Sequence, residues 1–171
     1  RARVMSQPEE RYGVLPAMMT WAETAAETEN ISRTACDQWS LASHQKACAA
    51  MEAGLFADEI VSVPVPRRKG EPIMVDRDEN PRADTTIEKL ASLKPVLGGV
   101  CTAGNSSTEN DGAAAVVVAS EARAKELGLK SWYTVEAYAT GAREPEWVMM
   151  APVKAVTNLM AKTGQSIDDF D

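Results

Sequence analysis

The feature that most constrains this chain is an apolar run, Ala113–Ala119, entered directly from Asn110-Asp111-Gly112. Asn, Asp and Gly adopt left-handed turn conformations cheaply, so the backbone can change direction there. A Val-rich run without a charge then reads as a strand buried on both faces, with helices packed on either side. The following residues keep that rhythm. Ser120–Leu127 reads as a helix stopped at Gly128, Trp132–Thr140 alternates as a strand, and Pro152–Lys162 reads as a helix with proline in its first turn. Strand, helix, strand, helix is the order of a layered α/β domain.

The first hundred residues do not share this order. Residues 1–19 carry Pro8, Gly13 and Pro16 and read mostly as loop, whereas Thr20–Glu29 is rich in helix formers. Ser32 is placed to cap a longer helix ending at Gly54. On that helix Ala35, Trp39, Ala42, Ala49, Ala50 and Ala53 form the stripe expected to face the core, with Lys46 inside it. Glu59–Val63 and Ile73–Asp76 read as short strands joined by Pro64–Glu71, turning at Lys69-Gly70. Thr85-Thr86-Ile87-Glu88 has the pattern of a capping box opening a short helix that Pro95 terminates. Gly98-Gly99 marks the expected crossing between domains.

Composition narrows the function classes. Apolar residues at 44% and charged residues at 25% are those of a folded globular chain. A net charge of -7 repels polyanions, which argues against general nucleic-acid or membrane-surface binding. Ala113–Ala119 is the longest apolar run and is far too short to span a bilayer, and Arg1-Ala2-Arg3-Val4 opens no secretory signal. Cys36, Cys48 and Cys101 form no CxxC pair, and His44 is the sole histidine, so a four-ligand zinc site is not expected. Sparse, odd-numbered cysteines fit a reducing cytoplasm, and all three read as small buried or half-buried thiols. His44, away from any glycine turn or thiol, reads as a surface or capping histidine.

The stretch Thr102-Ala103-Gly104-Asn105-Ser106-Ser107-Thr108-Glu109-Asn110-Asp111-Gly112-Ala113-Ala114-Ala115 closely resembles the thiolase signature T-A-G-N-A-S-x-x-N-D-G-A-A-A. The resemblance extends in both directions. Ala22-Glu23, Ile31-Ser32-Arg33, Gln38, Ala42, Ser43 and Gln45-Lys46-Ala47 are similar to the family's TAE…LSR…Q…A…SQxKA helix pair. Phe56-Ala57-Asp58-Glu59-Ile60-Val61 resembles its F-x-x-E-I-V segment. Asp78-Glu79, Arg82, Thr86 and Leu93-Lys94-Pro95 resemble D-E-x-x-R…T…L-x-x-L-K/R-P, and Ser120-Glu121-Ala122 continues as S-E-x-A.

This resemblance implies an incomplete α/β fold of the layered α/β/α thiolase type. It would comprise an α+β loop domain over 1–107 that clasps coenzyme A, the end of the N-terminal core half over 108–130, and the start of the C-terminal half over 131–171. It implies that Arg82 contacts the nucleotide end of coenzyme A and that Leu93 lies near the adenine and pantetheine. Ser107 would hydrogen-bond the pantetheine, and Met18 would face the acyl pocket. Ala17 stands where the family has a histidine, and Thr108-Glu109 where it often has glycine and an apolar residue, which bears on acyl-chain preference. From Arg67 to Lys94 cations outnumber anions by seven to six, a balance compatible with a nucleotide phosphate. Arg67-Arg68-Lys69 by itself reads as a solvated hairpin tip.

The implied chemistry is acyl transfer between thioesters, by thiolytic cleavage of a 3-ketoacyl-CoA or Claisen condensation of acetyl-CoA. That reaction needs a nucleophilic thiolate, a second thiol for the Cα proton, and oxyanion donors. The family carries these in CxG, NEAF, GHP and CxGGG motifs, and none of the four occurs here. The expectation is an internal piece of a homo-oligomeric enzyme, dimer or tetramer. Coenzyme A and acyl-CoA would be its substrates, without metal or redox cofactor. A stand-alone acyl-CoA-binding or scaffold module is the alternative.

Overall fold

The computed structural model describes residues 17–131 and 133–170. They fall into two compact units: Ala22–Thr108 is one, and the described residues on either side of it make the other. The loop expected over residues 1–16 and the side chain of Trp132 lie outside the described residues.

Helix α1 (Met18–Thr28) starts two residues before the expected Thr20. It ends where Asn30 takes the left-handed region at φ 55°, which lets the Ile31 N–H donate to the Ala26 carbonyl at 2.8 Å. Ser32 then caps α2 (Arg33–Glu52), its hydroxyl accepting from the Ala35 N–H at 3.1 Å, as the sequence predicts.

The face that α2 buries is the opposite of the expected one. Asp37 and Cys48 are buried and Cys36, Leu41 and His44 half-buried; of the expected stripe Ala42 and Ala50 are half-buried, whereas Trp39 is 81% exposed and Ala35, Ala49 and Ala53 are exposed. Lys46, on the outer side, is exposed and has no apolar stripe to cross. Alanine discriminates weakly between core and surface, so Trp39 dominated the expected stripe. The inner face carries polar groups whose burial depends on partners far away in sequence.

The remaining elements of this unit are short. Strands β1 (Val63–Val65) and β2 (Ile73–Val75) pair antiparallel with Val63 opposite Val75. The expected first strand is displaced: Ile60 closes a turn after α2 by donating its N–H to the Phe56 carbonyl at 3.1 Å, and only Val63 enters the ladder. Helix α3 (Ile87–Ser92) is capped by Thr86 rather than Thr85, packs on α2, and buries Leu90.

In the second unit Ser120 caps α4 (Glu121–Glu126), its hydroxyl accepting from the Arg123 N–H at 3.2 Å. A 3-10 turn, Pro145–Met150, leads into α5 (Ala151–Thr163), which Gly164 ends at φ 74°. Two expected strands are absent among the described residues. Ala113–Ala119 has no ladder partner, and Val116, Val117 and Val118 are 87%, 92% and 83% exposed, not buried on both faces. A strand exists only with a neighbour to receive its N–H and C=O groups, and no described segment supplies one. Residues 133–140 are likewise unpaired, yet Ala137 and Ala139 are half-buried while Tyr138 and Thr140 are exposed. The expected alternation is thus confined to residues 137–140, since Tyr133 and Val135 are 89% and 79% exposed, and the contacts there are to a helix rather than to a strand. From α5, Asn158 donates to the Thr140 carbonyl at 2.8 Å and Lys162 to that of Tyr138 at 2.9 Å.

Candidate functional site

Within the Ala22–Thr108 unit, the loop Val100–Asn105 is held from three sides. Glu23 on α1 accepts the backbone N–H groups of Val100 and Cys101, at 2.7 and 2.9 Å. Burial pushes the Glu23 carboxyl upward, but these donors and the Cys101 thiol outweigh it and hold it below its ordinary value. Asp37 on α2, 2% exposed, accepts from the Asn105 amide at 3.1 Å and from Arg33 Nε at 2.8 Å. Arg33 Nη2 then reaches the carbonyls of Leu90 and Leu93 at the end of α3, at 2.6 and 3.0 Å.

Asn105 also braces its own loop. Its Oδ1 accepts the Thr102 N–H at 2.7 Å, and its Nδ2 donates to the Val100 carbonyl at 2.9 Å. Thr102 is fully buried, with its hydroxyl accepting the Gly104 N–H at 3.2 Å. Among the described residues no buried side-chain nitrogen or oxygen lacks a partner. Gly104 is where the loop meets α3. A Cβ there would stand 2.5 Å from Leu93 Cδ1 and 2.6 Å from Leu90 Cδ2, so any larger residue would push the two leucine side chains off the loop.

Three of the expected site residues, Leu93, Ser107 and Arg82, lie in the same unit as this frame. Leu93, 37% exposed, covers Gly104 on one side and faces solvent on the other. Ser107 is exposed, two residues beyond Asn105. Arg82 is exposed in the turn before α3, and its backbone N–H donates to His44 Nδ1 at 3.2 Å. His44 is thus half-buried and engaged, rather than a surface or capping residue. Met18, 39% exposed, opens α1 in the other unit.

None of the three thiols is paired in a disulfide. Burial, with the Glu23 charge and a hydrogen bond to Glu23, pushes the Cys101 thiol up to about 11. Cys36 is raised as well, by burial and then by the Asp37 and Glu23 charges against Arg33. Among the described residues no three His, Cys, Asp or Glu side chains come together as a metal site, and no helix is long and apolar enough to cross a membrane.

A family model described as thiolase, N-terminal domain, matches residues 10–122, more than half of the chain. The chain belongs to the thiolase family. Its match to an acetyl-CoA acetyltransferase of Pseudomonas aeruginosa is 46% identical over 152 residues, covering 88% of this chain and 39% of the relative. A beta-ketoadipyl-CoA thiolase of Acinetobacter baylyi is 43% identical over 162 residues, covering 94% and 40%. The crystal structure of the Bacillus anthracis acetyl-CoA acetyltransferase superposes with a TM-score of 0.86 at 36% identity, over 95% of this chain and 43% of that one. The fold is therefore the α/β thiolase fold in part, and the chain spans about two-fifths of the length of the curated relatives it matches.

Four side chains of this frame were given no structural role from sequence: Glu23, Arg33, Asp37 and Asn105. Arg33 and Asp37 left one usable trace, an opposite-charge pair at helical i,i+4 spacing on a half-apolar face. Glu23, and Asn105 in its bond to Asp37, meet partners 68 to 78 residues away that local sequence does not reveal.

Proposed function

We propose that this chain is the coenzyme A-clasping part of an acyl-CoA acyltransferase that cleaves 3-ketoacyl-CoA by thiolysis or condenses acetyl-CoA in the reverse sense. In this reading residues 1–107 belong to the loop domain, 108–130 end the first core half, and 131–171 begin the second. The packing of Leu93 on Gly104 carries the reading. It sets a half-exposed apolar side chain beside a braced polar loop from which Ser107 emerges, a combination suited to a ligand arm with both methylene and amide groups.

Arg82 supplies the other end. Its exposed guanidinium offers a planar fork for a nucleotide phosphate, while His44 engages its backbone. Met18 faces the acyl pocket. Coenzyme A and acyl-CoA are substrates, and the reaction uses no metal or redox cofactor. The whole enzyme is a cytoplasmic homo-oligomer, a dimer or tetramer. The nucleophile and the proton-transferring groups lie outside this chain. The upward shifts of Cys36 and Cys101 support that assignment, because the thiolate is the attacking form.

Calorimetric titration with coenzyme A tests the reading. Ser107→Ala is expected to weaken binding by at most about tenfold, the loss of a neutral hydrogen bond. Arg82→Ala should cost about 1.5–3 kcal/mol through a charge-assisted contact. Unchanged binding in both, with binding abolished by substitution of Arg67 and Arg68, would move the nucleotide onto the hairpin and overturn it. The chain alone is expected not to cleave acetoacetyl-CoA; cleavage lost on mutating Cys36, Cys48 or Cys101 would refute the catalytic part.

A further inference from the structure

Resting on the coenzyme A reading above, we propose that Arg33, Asp37 and Asn105 are positioning residues that set Leu93 and Ser107 in register along the pantetheine arm. Their hydrogen bonds form one continuous path. It starts at the Leu93 carbonyl, passes through Arg33 Nη2 and Nε to Asp37, and crosses to the Asn105 amide. Ser107 is two residues further on, within roughly 7 Å even if the backbone is fully extended. Both candidate pantetheine contacts thus hang from opposite ends of one ion pair, its carboxylate buried and its guanidinium half-buried.

The chemistry of that pair favours geometry over stability. The buried Asp37 carboxylate loses hydration that its attraction to the half-buried Arg33 guanidinium recovers only in part, so the pair adds little that apolar side chains of equal volume would not. A guanidinium, however, holds its donors in a rigid plane, and here that plane spans a carboxylate and two carbonyls. The carbonyls matter because α3 is only six residues long, and Arg33 ties its end, where Leu93 is the C-cap, to α2. Asn105 is fixed by three bonds, to Thr102, Val100 and Asp37, so the loop leaves it in one direction. Arg82 stands off this path, engaged through His44 instead. Loosening the path should therefore affect the pantetheine half of the ligand and spare the nucleotide half.

The test is NMR titration of the unaltered chain and of Asp37→Asn, Arg33→Lys and Ser107→Ala. The ligands are coenzyme A, pantetheine and adenosine 3′,5′-bisphosphate. Asp37→Asn keeps an oxygen for Asn105 but loses the charge-assisted bond to Arg33; Arg33→Lys keeps the charge but loses the fork. Both are expected to weaken pantetheine and coenzyme A about tenfold. Adenosine 3′,5′-bisphosphate should stay within about twofold. Circular dichroism identifies any variant that fails to fold, in which case the other decides. Equal loss of both half-ligands would show a general structural role and overturn the proposal. Loss on Ser107→Ala without loss on Asp37→Asn or Arg33→Lys would overturn it while leaving the coenzyme A reading intact. If Ser107→Ala binds all three ligands as the unaltered chain does, Ser107 is no pantetheine contact and the positioning proposal is overturned; if the unaltered chain binds none, the coenzyme A reading itself fails and the positioning role with it.

Discussion

The Asp37 carboxylate and the Asn105 amide, 68 positions apart in sequence, are hydrogen-bonded at 3.1 Å. That bond joins α2 to the Thr102–Asn105 loop, and through Arg33 it also joins α3. The polarity of the loop therefore has a structural use before it has any ligand: its asparagine and threonine turn inward, leaving Ser107 exposed.

Asn105→Ala should be among the most damaging single changes in this unit. It leaves the buried Thr102 N–H, the Val100 carbonyl and one Asp37 oxygen without their partner. The expected destabilisation is about 2–4 kcal/mol in urea unfolding. Asn105→Asp should cost more than alanine, because it sets a second carboxylate against buried Asp37. The reverse ranking would mean that Asp37 is not the group Asn105 satisfies.

Glu23 gives the chain an acid limit. Its folded carboxyl lies below the ordinary value, so its unfolded form takes up protons first as the pH falls. Its contribution is present above about pH 4.3 and is lost as the pH drops through the lower folded value. Glu23→Gln should be less stable than the unaltered chain at neutral pH and should flatten the decline in melting temperature below pH 4.3. A parallel decline in both proteins would assign the acid limit to other carboxylates.

Cys101 sets a limit of opposite sign. Its thiol is held protonated up to about pH 11 in the folded state, whereas an unfolded thiol ionises near pH ~8.5. Between these values the unfolded chain binds fewer protons, so stability falls as pH rises. Cys101→Ser should reduce that slope, leaving the part that the raised Cys36 thiol contributes. In the folded chain at pH 8, Cys101 should react with iodoacetamide far more slowly than in urea; equal rates would show that the thiol is exposed.

The corrected face of α2 can be checked without a ligand. Trp39→Ala should change stability by no more than about 0.5 kcal/mol, because the indole is 81% exposed. Leu90→Ala, at 3% exposure against α2, should cost about 2–5 kcal/mol. Tryptophan fluorescence quenching by iodide gives a second measure, since an exposed Trp39 adds a readily quenched component. A large loss on Trp39→Ala would restore the stripe expected from hydropathy.

What the sequence by itself determined is local. Ser32 caps a helix with a hydroxyl that reaches only three residues ahead, and Lys69-Gly70 lies in the connection between the paired strands. Such features are legible because both partners lie within one window of chain. The family signature, a fixed order of residue types, was equally legible, and with it the candidates Arg82, Leu93 and Ser107. The tertiary structure alone decided the rest. It turned the Asp37 side of α2 inward, because a carboxylate can be buried only where Arg33 and a distant Asn105 meet it. It drew Glu23 onto backbone groups 77 and 78 residues away. It also left Ala113–Ala119 without a ladder, since a strand needs a second segment to supply its hydrogen bonds, whatever its own composition.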